Sequence, residues 1–180
     1  MKRTGLLICA LCALLMVACG PNRKESIAEI KAYETQLQTL TVEEAKADSI
    51  IVLYVNFANN FEEDSLAPMF LMKAADVAIN LGRSNEGIEY LDRVIDEYPD
   101  FKDLAGCYFL KGYAYEKAGE LESARAAYSY FIETYPDHVL ANDTRAILPY
   151  LGLSPEDLLE LLWSKDSVVA ENLRKDEVKK

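Results

Sequence analysis

Histidine and cysteine, the side chains that most often carry nucleophilic or metal chemistry, are scarce in this chain of 180 residues. The one histidine is His138, and Cys107 is the one cysteine beyond residue 19. A zinc site needs about three or four such ligands, and a Ser-His-Asp triad needs a nucleophile placed beside its histidine. Paired acids at 43–44, 96–97 and 156–157 could serve general acid–base chemistry, but 30 acidic residues make such pairs common on helix surfaces. The residue types therefore favour a protein with no catalytic site, cofactor or metal.

The remaining cysteines lie near the N-terminus, where Cys19 is placed for covalent modification. Two basic residues precede an uncharged, mostly apolar run over 4–18, which is shorter than the about 20 residues of a bilayer span. The run ends in Leu-Met-Val-Ala-Cys at 15–19, which resembles the lipobox of bacterial lipoproteins. That resemblance implies a diacylglycerol on the Cys19 thiol, cleavage before Cys19, and acylation of the new amine. The alternative is an ordinary secretory signal with an incidental cysteine.

The lipobox resemblance divides the N-terminus into two segments. Residues 1–18 are predicted to be a signal peptide, and residues 19–24 a short lipidated tether. Two or more acyl chains hold a protein stably on a membrane. Residue 20 is Gly, whereas an Asp there favours inner-membrane retention in enterobacterial lipoproteins. The resemblance therefore implies an outer-membrane location, on the periplasmic face or at the cell surface.

The charge balance excludes one class of partner. The chain has 19 basic and 30 acidic residues, a net charge of −11. Without residues 1–18, which include Lys2 and Arg3, 17 basic residues would face the same 30 acids, a net charge of −13. Such a surface repels phosphate backbones, so binding to nucleic acid is not expected.

The body of the chain repeats at a spacing of 37 residues, which indicates a helical solenoid. Rows of similar residues align at that spacing: Tyr54/Leu91/Tyr128, Phe57/Val94/Phe131, Phe61/Tyr98/Tyr135, and the small pair Gly87/Ala124, where the first unit has Ile50. Apolar residues within each unit follow steps of three and four, as on an amphipathic helix. Gly82 and Gly119 are placed for left-handed C-terminal caps, and Pro99 and Pro136 for helix ends. Each unit is therefore predicted to be a helical hairpin.

The second full unit resembles the tetratricopeptide repeat. It has that family's pattern of aromatic, small and proline residues at Tyr108, Gly112, Tyr115, Ala124, Tyr128 and Pro136. The preceding unit fills the same places with Leu71, Ala75, Ala78, Gly87, Leu91 and Pro99. The resemblance implies an all-α solenoid of about three hairpins with capping helices. The 37-residue period and the lipobox are together similar to the periplasmic lipoproteins related to BamD, a component of outer-membrane β-barrel assembly.

The segments that flank the repeats are predicted to be capping helices within a helical domain over 25–163. Residues 24–40 form a polar helix, and residues 41–44 offer a capping box for a helix that runs to about Phe61. Residues 138–150 form a further helix, and Ser154 and Pro155 begin another. The apolar run at 158–163 is expected to close the open end of the stack. Residues 164–180 are a charged tail.

Two aromatic residues of the helix over 104–118 lie off its predicted packing stripe, which consists of Leu104, Tyr108, Gly112, Tyr115 and Ala118. Phe109 and Tyr113 are four residues apart, so they share another face of that helix. Met69, Met72 and Asp76 occupy the equivalent face one repeat earlier. In tetratricopeptide repeats the first helices line a groove that binds peptide segments, so the resemblance implies a partner-binding groove at these five residues. The alternative is that they bury against a neighbouring repeat or cap.

These observations predict a lipid-anchored envelope scaffold that binds other proteins through a helical-repeat groove and has no catalysis. The second hypothesis is a BamD-like accessory lipoprotein in outer-membrane protein assembly. The expected partners are envelope proteins or peptide segments, together with the membrane that holds the anchor. An envelope hydrolase or a solute-binding lipoprotein is a third class, disfavoured because repeat solenoids present surfaces rather than closed pockets.

Overall fold

The computed structural model describes residues 20–39 and 44–164, and every regular element among them is helical. The helices are α1 (Arg23–Thr39), α2 (Glu44–Asn60), α3 (Ala67–Asn80), α4 (Ser84–Glu97), α5 (Leu104–Ala118), α6 (Leu121–Thr134), α7 (Ala141–Ile147), a 3₁₀ turn (Leu148–Tyr150) and α8 over 155–164. None of the described helices is long and apolar enough to cross a membrane. The predicted signal peptide with Cys19, most of the capping box at 41–44 and nearly all of the charged tail lie outside the described residues.

The helices group into two compact units, Met1–Cys107 and Tyr108–Lys180. In the first unit each helix packs on the next along the chain, α1 on α2, α2 on α3 and α3 on α4. In the second unit α6 packs on α7 and on the 3₁₀ turn. Sequential antiparallel packing of this kind confirms the predicted class, an all-α fold of tetratricopeptide-repeat-like helical hairpins.

Glycines end the first helix of the hairpins α3–α4 and α5–α6. Gly82 and Gly119 have φ values of +77° and +78°, in the left-handed region that glycine tolerates best. After each glycine the next N–H bonds back to the last turn of the helix. Arg83 N donates to Ala78 O and Glu120 N donates to Tyr115 O, each at 2.9 Å. Both turns are Schellman motifs, which confirms the predicted caps.

The residue rows at the 37-residue spacing lie in the interior, as the repeat pattern predicts. Buried positions include Ile50, Gly87 and Ala124; Tyr54, Leu91 and Tyr128; and Phe57, Val94 and Phe131. The remaining row, Phe61, Tyr98 and Tyr135, is half-buried and lies just after the ends of the second helices. Tyr98 and Tyr135 precede Pro99 and Pro136, where α4 and α6 have ended.

Helix α1 packs as part of the first unit, because both an apolar and a polar contact hold it there. Ile30 is 1% exposed in the core that α1 shares with α2 and α3. The Glu34 carboxylate accepts hydrogen bonds from the Tyr54 hydroxyl at 2.7 Å and from Lys73 Nζ at 2.6 Å. Burial disfavours the charged form of Glu34, but these two donors outweigh it and lower the pKa of the carboxyl.

Helix α8 begins as the sequence predicts but does not bury its apolar run. The Ser154 hydroxyl caps the helix by accepting a hydrogen bond from Asp157 N at 3.0 Å. Leu158, Leu159, Leu162 and Trp163 are exposed, Trp163 by 68%. The expectation that residues 158–163 close the end of the stack is therefore wrong. Their helix follows the turn at Gly152, and much of its apolar surface faces solvent.

Candidate protein-binding surfaces

Helix α3 carries the three upstream residues of the predicted groove. Asp76 is exposed, whereas Met69 and Met72 are half-buried. Met69 packs against the core shared by α1, α2 and α3. The end of the Met72 side chain covers Gly106 at the start of α5, where a Cβ atom would lie 3.0 Å from Met72 Cε. Both methionines therefore combine a packing contact with a surface that a partner can reach.

The structure places Phe109 inside the second hairpin. Its ring is half-buried, with its centre 5.7 Å from the ring of Tyr128 and 5.6 Å from the ring of Phe131, both on α6. The expectation that Phe109 lies off the packing stripe is wrong, because α6 lies against the face of α5 that carries it. The predicted stripe residue Tyr108 is also half-buried, and it contacts Tyr130 and Tyr135.

Tyr113, the other residue of the predicted pair, has no aromatic ring packed against it among the described residues. Its side chain is half-buried, and Lys117 Nζ lies 5.9 Å from the centre of its ring. This is a weak surface cation–π contact between residues one helical turn apart. Tyr113 can therefore contribute an aromatic surface flanked by a basic group. The partner-binding role of the five groove residues stays a prediction, and the faces of α3 and α5 belong to different units.

Gly112 of α5 and Tyr128 of α6 meet at the centre of the second hairpin. The Tyr128 ring is the side chain nearest to the position that a Cβ atom on Gly112 would occupy. The Tyr128 hydroxyl donates a hydrogen bond to Glu116 at 2.9 Å. Burial and the neighbouring Glu116 carboxylate raise the pKa of Tyr128, so the phenol stays neutral. Tyr128 is a core residue, as its place in the repeat indicates.

Sequence reasoning missed a cleft in the first unit, between the loop after α2 and the loop after α4. The cleft has a volume of about 460 Å³, within the range of about 300–1,000 Å³ common for ligand pockets. It is lined by Glu62, Glu63, Asp64, Ser65 and Pro68, and by residues 97–102. The missed signal was the acidic residues shared by the repeated Phe-Glu-Glu-Asp and Glu-Tyr-Pro-Asp segments, at 61–64 and 97–100.

Tyr98 connects the cleft to the core of the first unit. Its hydroxyl oxygen is buried and makes no hydrogen bond with the described residues. Burial raises the pKa of Tyr98, and the carboxylates of Glu97 and Glu62 raise it further, while Arg93 opposes them. The neutral Tyr98 ring therefore gives the cleft an apolar surface beside the carboxylates of Glu62 and Glu97.

Cys107 and His138, the residues that could act as a nucleophile or a metal ligand, both make packing contacts. Burial, with a smaller effect of Asp103, raises the pKa of the Cys107 thiol to about 12. The thiol is therefore protonated at neutral pH, and the reactive thiolate is scarce. His138 packs edge-on against Phe131 at 5.2 Å, and its Nδ1 accepts a hydrogen bond from Leu140 N. No group of three His, Cys, Asp or Glu residues suited to a metal ion occurs within 20–39 and 44–164.

The hairpins and their capping turns define a helical-repeat protein, and a family model agrees on two of them. The tetratricopeptide-repeat model matches residues 70–100 and residues 107–138. The first match covers most of α3 with α4, and the second covers most of α5 with α6. The two matched segments are similar to tetratricopeptide repeats, a module that typically mediates protein–protein interaction. No curated protein matches the chain.

Proposed function

We propose that this protein is a lipid-anchored scaffold of the bacterial envelope that binds other proteins without catalysing a reaction. The observation that carries the proposal is the pair of tetratricopeptide repeats over 70–100 and 107–138. Repeat modules stack short helices and present extended surfaces, which suit the recognition of a protein segment. Accessible methionine and aromatic side chains on such a surface favour contact with an apolar part of a partner.

The groove residues that support this proposal are the accessible ones on the first helix of each repeat. Met72 and Asp76 on α3, and Tyr113 on α5, are exposed or half-buried. Methionine adapts its shape to a partner, and tyrosine offers both an apolar ring and a hydroxyl. Asp76 accepts a hydrogen bond from Asn80 at 3.3 Å and can also pair with a basic group on a partner.

Crosslinking from defined positions tests the scaffold proposal. A photoreactive amino acid at Met72 or Tyr113, in the full chain expressed in intact cells, should capture the same envelope protein from both positions. The matched control carries the same photoreactive group at Glu122, an exposed position in the first turn of α6. Identical products from all three positions, or no product specific to Met72 and Tyr113, would contradict the groove. Capture of a component of β-barrel assembly would favour the BamD-like alternative.

The anchor proposal rests on the lipobox at 15–19 and on the short distance from Cys19 to the folded body. Asn22 caps α1 by accepting a hydrogen bond from Lys24 N at 3.0 Å, so that only residues 20–22 separate Cys19 from the helix. Such a tether reaches about 10–14 Å when extended. An acylated Cys19 would therefore hold α1 close to the membrane surface.

Lipid labelling tests the anchor. A palmitate analogue should label the wild-type chain and fail to label Cys19→Ala, which should also keep its signal sequence. The variant Cys9→Ala/Cys12→Ala is the matched control and should label normally. Equal labelling of wild type and Cys19→Ala would contradict the lipobox. Protease treatment of intact cells then distinguishes the cell surface, where the domain is digested, from the periplasmic face, where it is protected.

A further inference from the structure

The cleft between the loops of the first unit combines an apolar floor with an acidic rim. Pro68, Tyr98 and Phe101 supply apolar surface, and Pro68 is buried at the start of α3. The rim carries five carboxylates, at Glu62, Glu63, Asp64, Glu97 and Asp100. Lys102 is the one basic residue among those that line it.

Three of the five carboxylates have no cationic partner among the described residues. Glu97 pairs with Arg93 one turn earlier on α4, at 3.3 Å. Asp64 pairs with Arg23. Glu62, Glu63 and Asp100 are exposed, and within 20–39 and 44–164 none of them forms an ion pair. The rim therefore keeps a local excess of negative charge beside an apolar surface.

The ion pair at Asp64 indicates which charged group fits this rim. Arg23 donates to both carboxylate oxygens of Asp64, through Nε and through a terminal guanidinium nitrogen. This forked arrangement lowers the pKa of the Asp64 carboxyl, which also accepts a hydrogen bond from Leu66 N at 2.9 Å. Arg23 lies on α1, whereas Asp64 lies in the loop after α2. One guanidinium from another part of the chain therefore already binds a carboxylate of the rim.

We propose that this cleft is a second docking surface, which binds a partner segment containing arginine or lysine next to apolar residues. The cationic groups pair with Glu62, Glu63 and Asp100, and the apolar side chains cover Pro68, Tyr98 and Phe101. Charge complementarity selects this occupant, because an acidic or purely apolar segment would leave the three carboxylates unpaired. None of the five groove residues lines this cleft, so it gives the proposed scaffold a second contact of defined chemistry.

Fluorescence anisotropy with a model peptide tests this assignment. The probe is a fluorescein-labelled peptide that alternates arginine with leucine, titrated with the full chain in a non-ionic detergent. The cleft variant Glu62→Gln/Glu63→Gln/Asp100→Asn should weaken binding by about tenfold or more, since each screened surface pair contributes modestly. The control variant Glu122→Gln/Glu133→Gln/Glu160→Gln removes the same charge at exposed sites outside the cleft and should bind as the wild type does. Lys102→Glu should strengthen binding, which tests the cleft even if the triple variant folds poorly.

The outcomes separate this surface from the groove. Binding should weaken as salt rises, because the Debye length falls to about 8 Å at physiological ionic strength. Equal weakening in the cleft and control variants would overturn the proposal in favour of general attraction to an acidic protein. Equal binding of a peptide with glutamate in place of arginine would overturn it as well. The cleft variant should leave the crosslinks from Met72 and Tyr113 unchanged, so failure here is distinct from failure of the scaffold proposal.

Discussion

The Tyr128 ring of α6 lies directly against Gly112 of α5. A Cβ atom on Gly112 would come within 2.5 Å of Tyr128 Cδ1 and within 2.7 Å of Cε1. Real Cβ atoms do not approach a carbon this closely, so a side chain at position 112 would clash with the Tyr128 ring. One repeat earlier, the equivalent residues are Ala75, which is larger than glycine, and Leu91, which is smaller than tyrosine. The two hairpins therefore divide the same space differently between their helices.

Gly112→Ala should destabilise the second hairpin although alanine favours helices. The helix propensity gain is about 1 kcal/mol, and overpacking a close contact costs about 1–3 kcal/mol, so a net loss is expected. Adding Tyr128→Leu recreates the upstream pair, and the double variant should lose less stability than the two single changes added together. Urea unfolding of all four proteins measures this coupling. Additive losses would show that the two residues do not share one contact.

Phe109 and Tyr113 should respond differently to substitution. Phe109→Ser removes a ring packed against Tyr128 and Phe131, and we expect a loss of about 2–4 kcal/mol. Tyr113→Ser removes a half-buried ring against which no other described aromatic ring packs, and it should cost less, about 1 kcal/mol. Thermal unfolding of the two single variants compares them directly. A similar loss in both would mean that Tyr113 is also a packing residue and is unsuited to a binding role.

Glu34→Gln should reduce stability at neutral pH by about 0.5–1 kcal/mol, because Lys73 is 43% exposed and water screens the ion pair. The folded-state pKa of Glu34 lies below its ordinary value of 4.5. Its contribution is therefore fully present above about pH 4.5 and is lost as the pH falls through the folded-state pKa. Denaturant unfolding from pH 7 down to pH 3 should show the difference between wild type and variant shrinking. Glu29→Gln, an exposed change on the same helix, is the matched control and should change the stability at neutral pH by less than about 0.5 kcal/mol.

Cys107 should resist thiol reagents while the protein is folded. A rise in pKa from 9.0 to about 12 lowers the thiolate fraction roughly a thousandfold, and burial blocks the reagent as well. The matched control is a cysteine at Val139, which is 82% exposed. Maleimide labelling at neutral pH should modify Val139→Cys promptly and Cys107 only after denaturation. Prompt labelling of Cys107 in the native protein would show that α5 opens readily.

The hairpins were predictable because their signals are local. The rows at 37 residues, the capping glycines and the helix-ending prolines each act within one or two turns of helix. Their predicted positions agree with Gly82 and Gly119 at positive φ, and with the burial of the Tyr54 and Phe57 rows. The capping role of Ser154 is equally local and was also predicted correctly.

Contacts between helices decided what the sequence left open. Helix α5 has apolar or small residues around most of its circumference, so periodicity alone did not identify the face against which α6 would pack. The packing of α6 decided that Phe109 is a packing residue and that the Tyr128 ring lies against Gly112. The acidic cleft likewise depends on two loops that lie more than 30 residues apart in sequence and meet through the packing of α2, α3 and α4. Amino-acid patterns thus determined the helices and their turns, because helix periodicity and capping depend on residues that are close in sequence. Tertiary packing selected which apolar faces are buried and which carboxylates face one another.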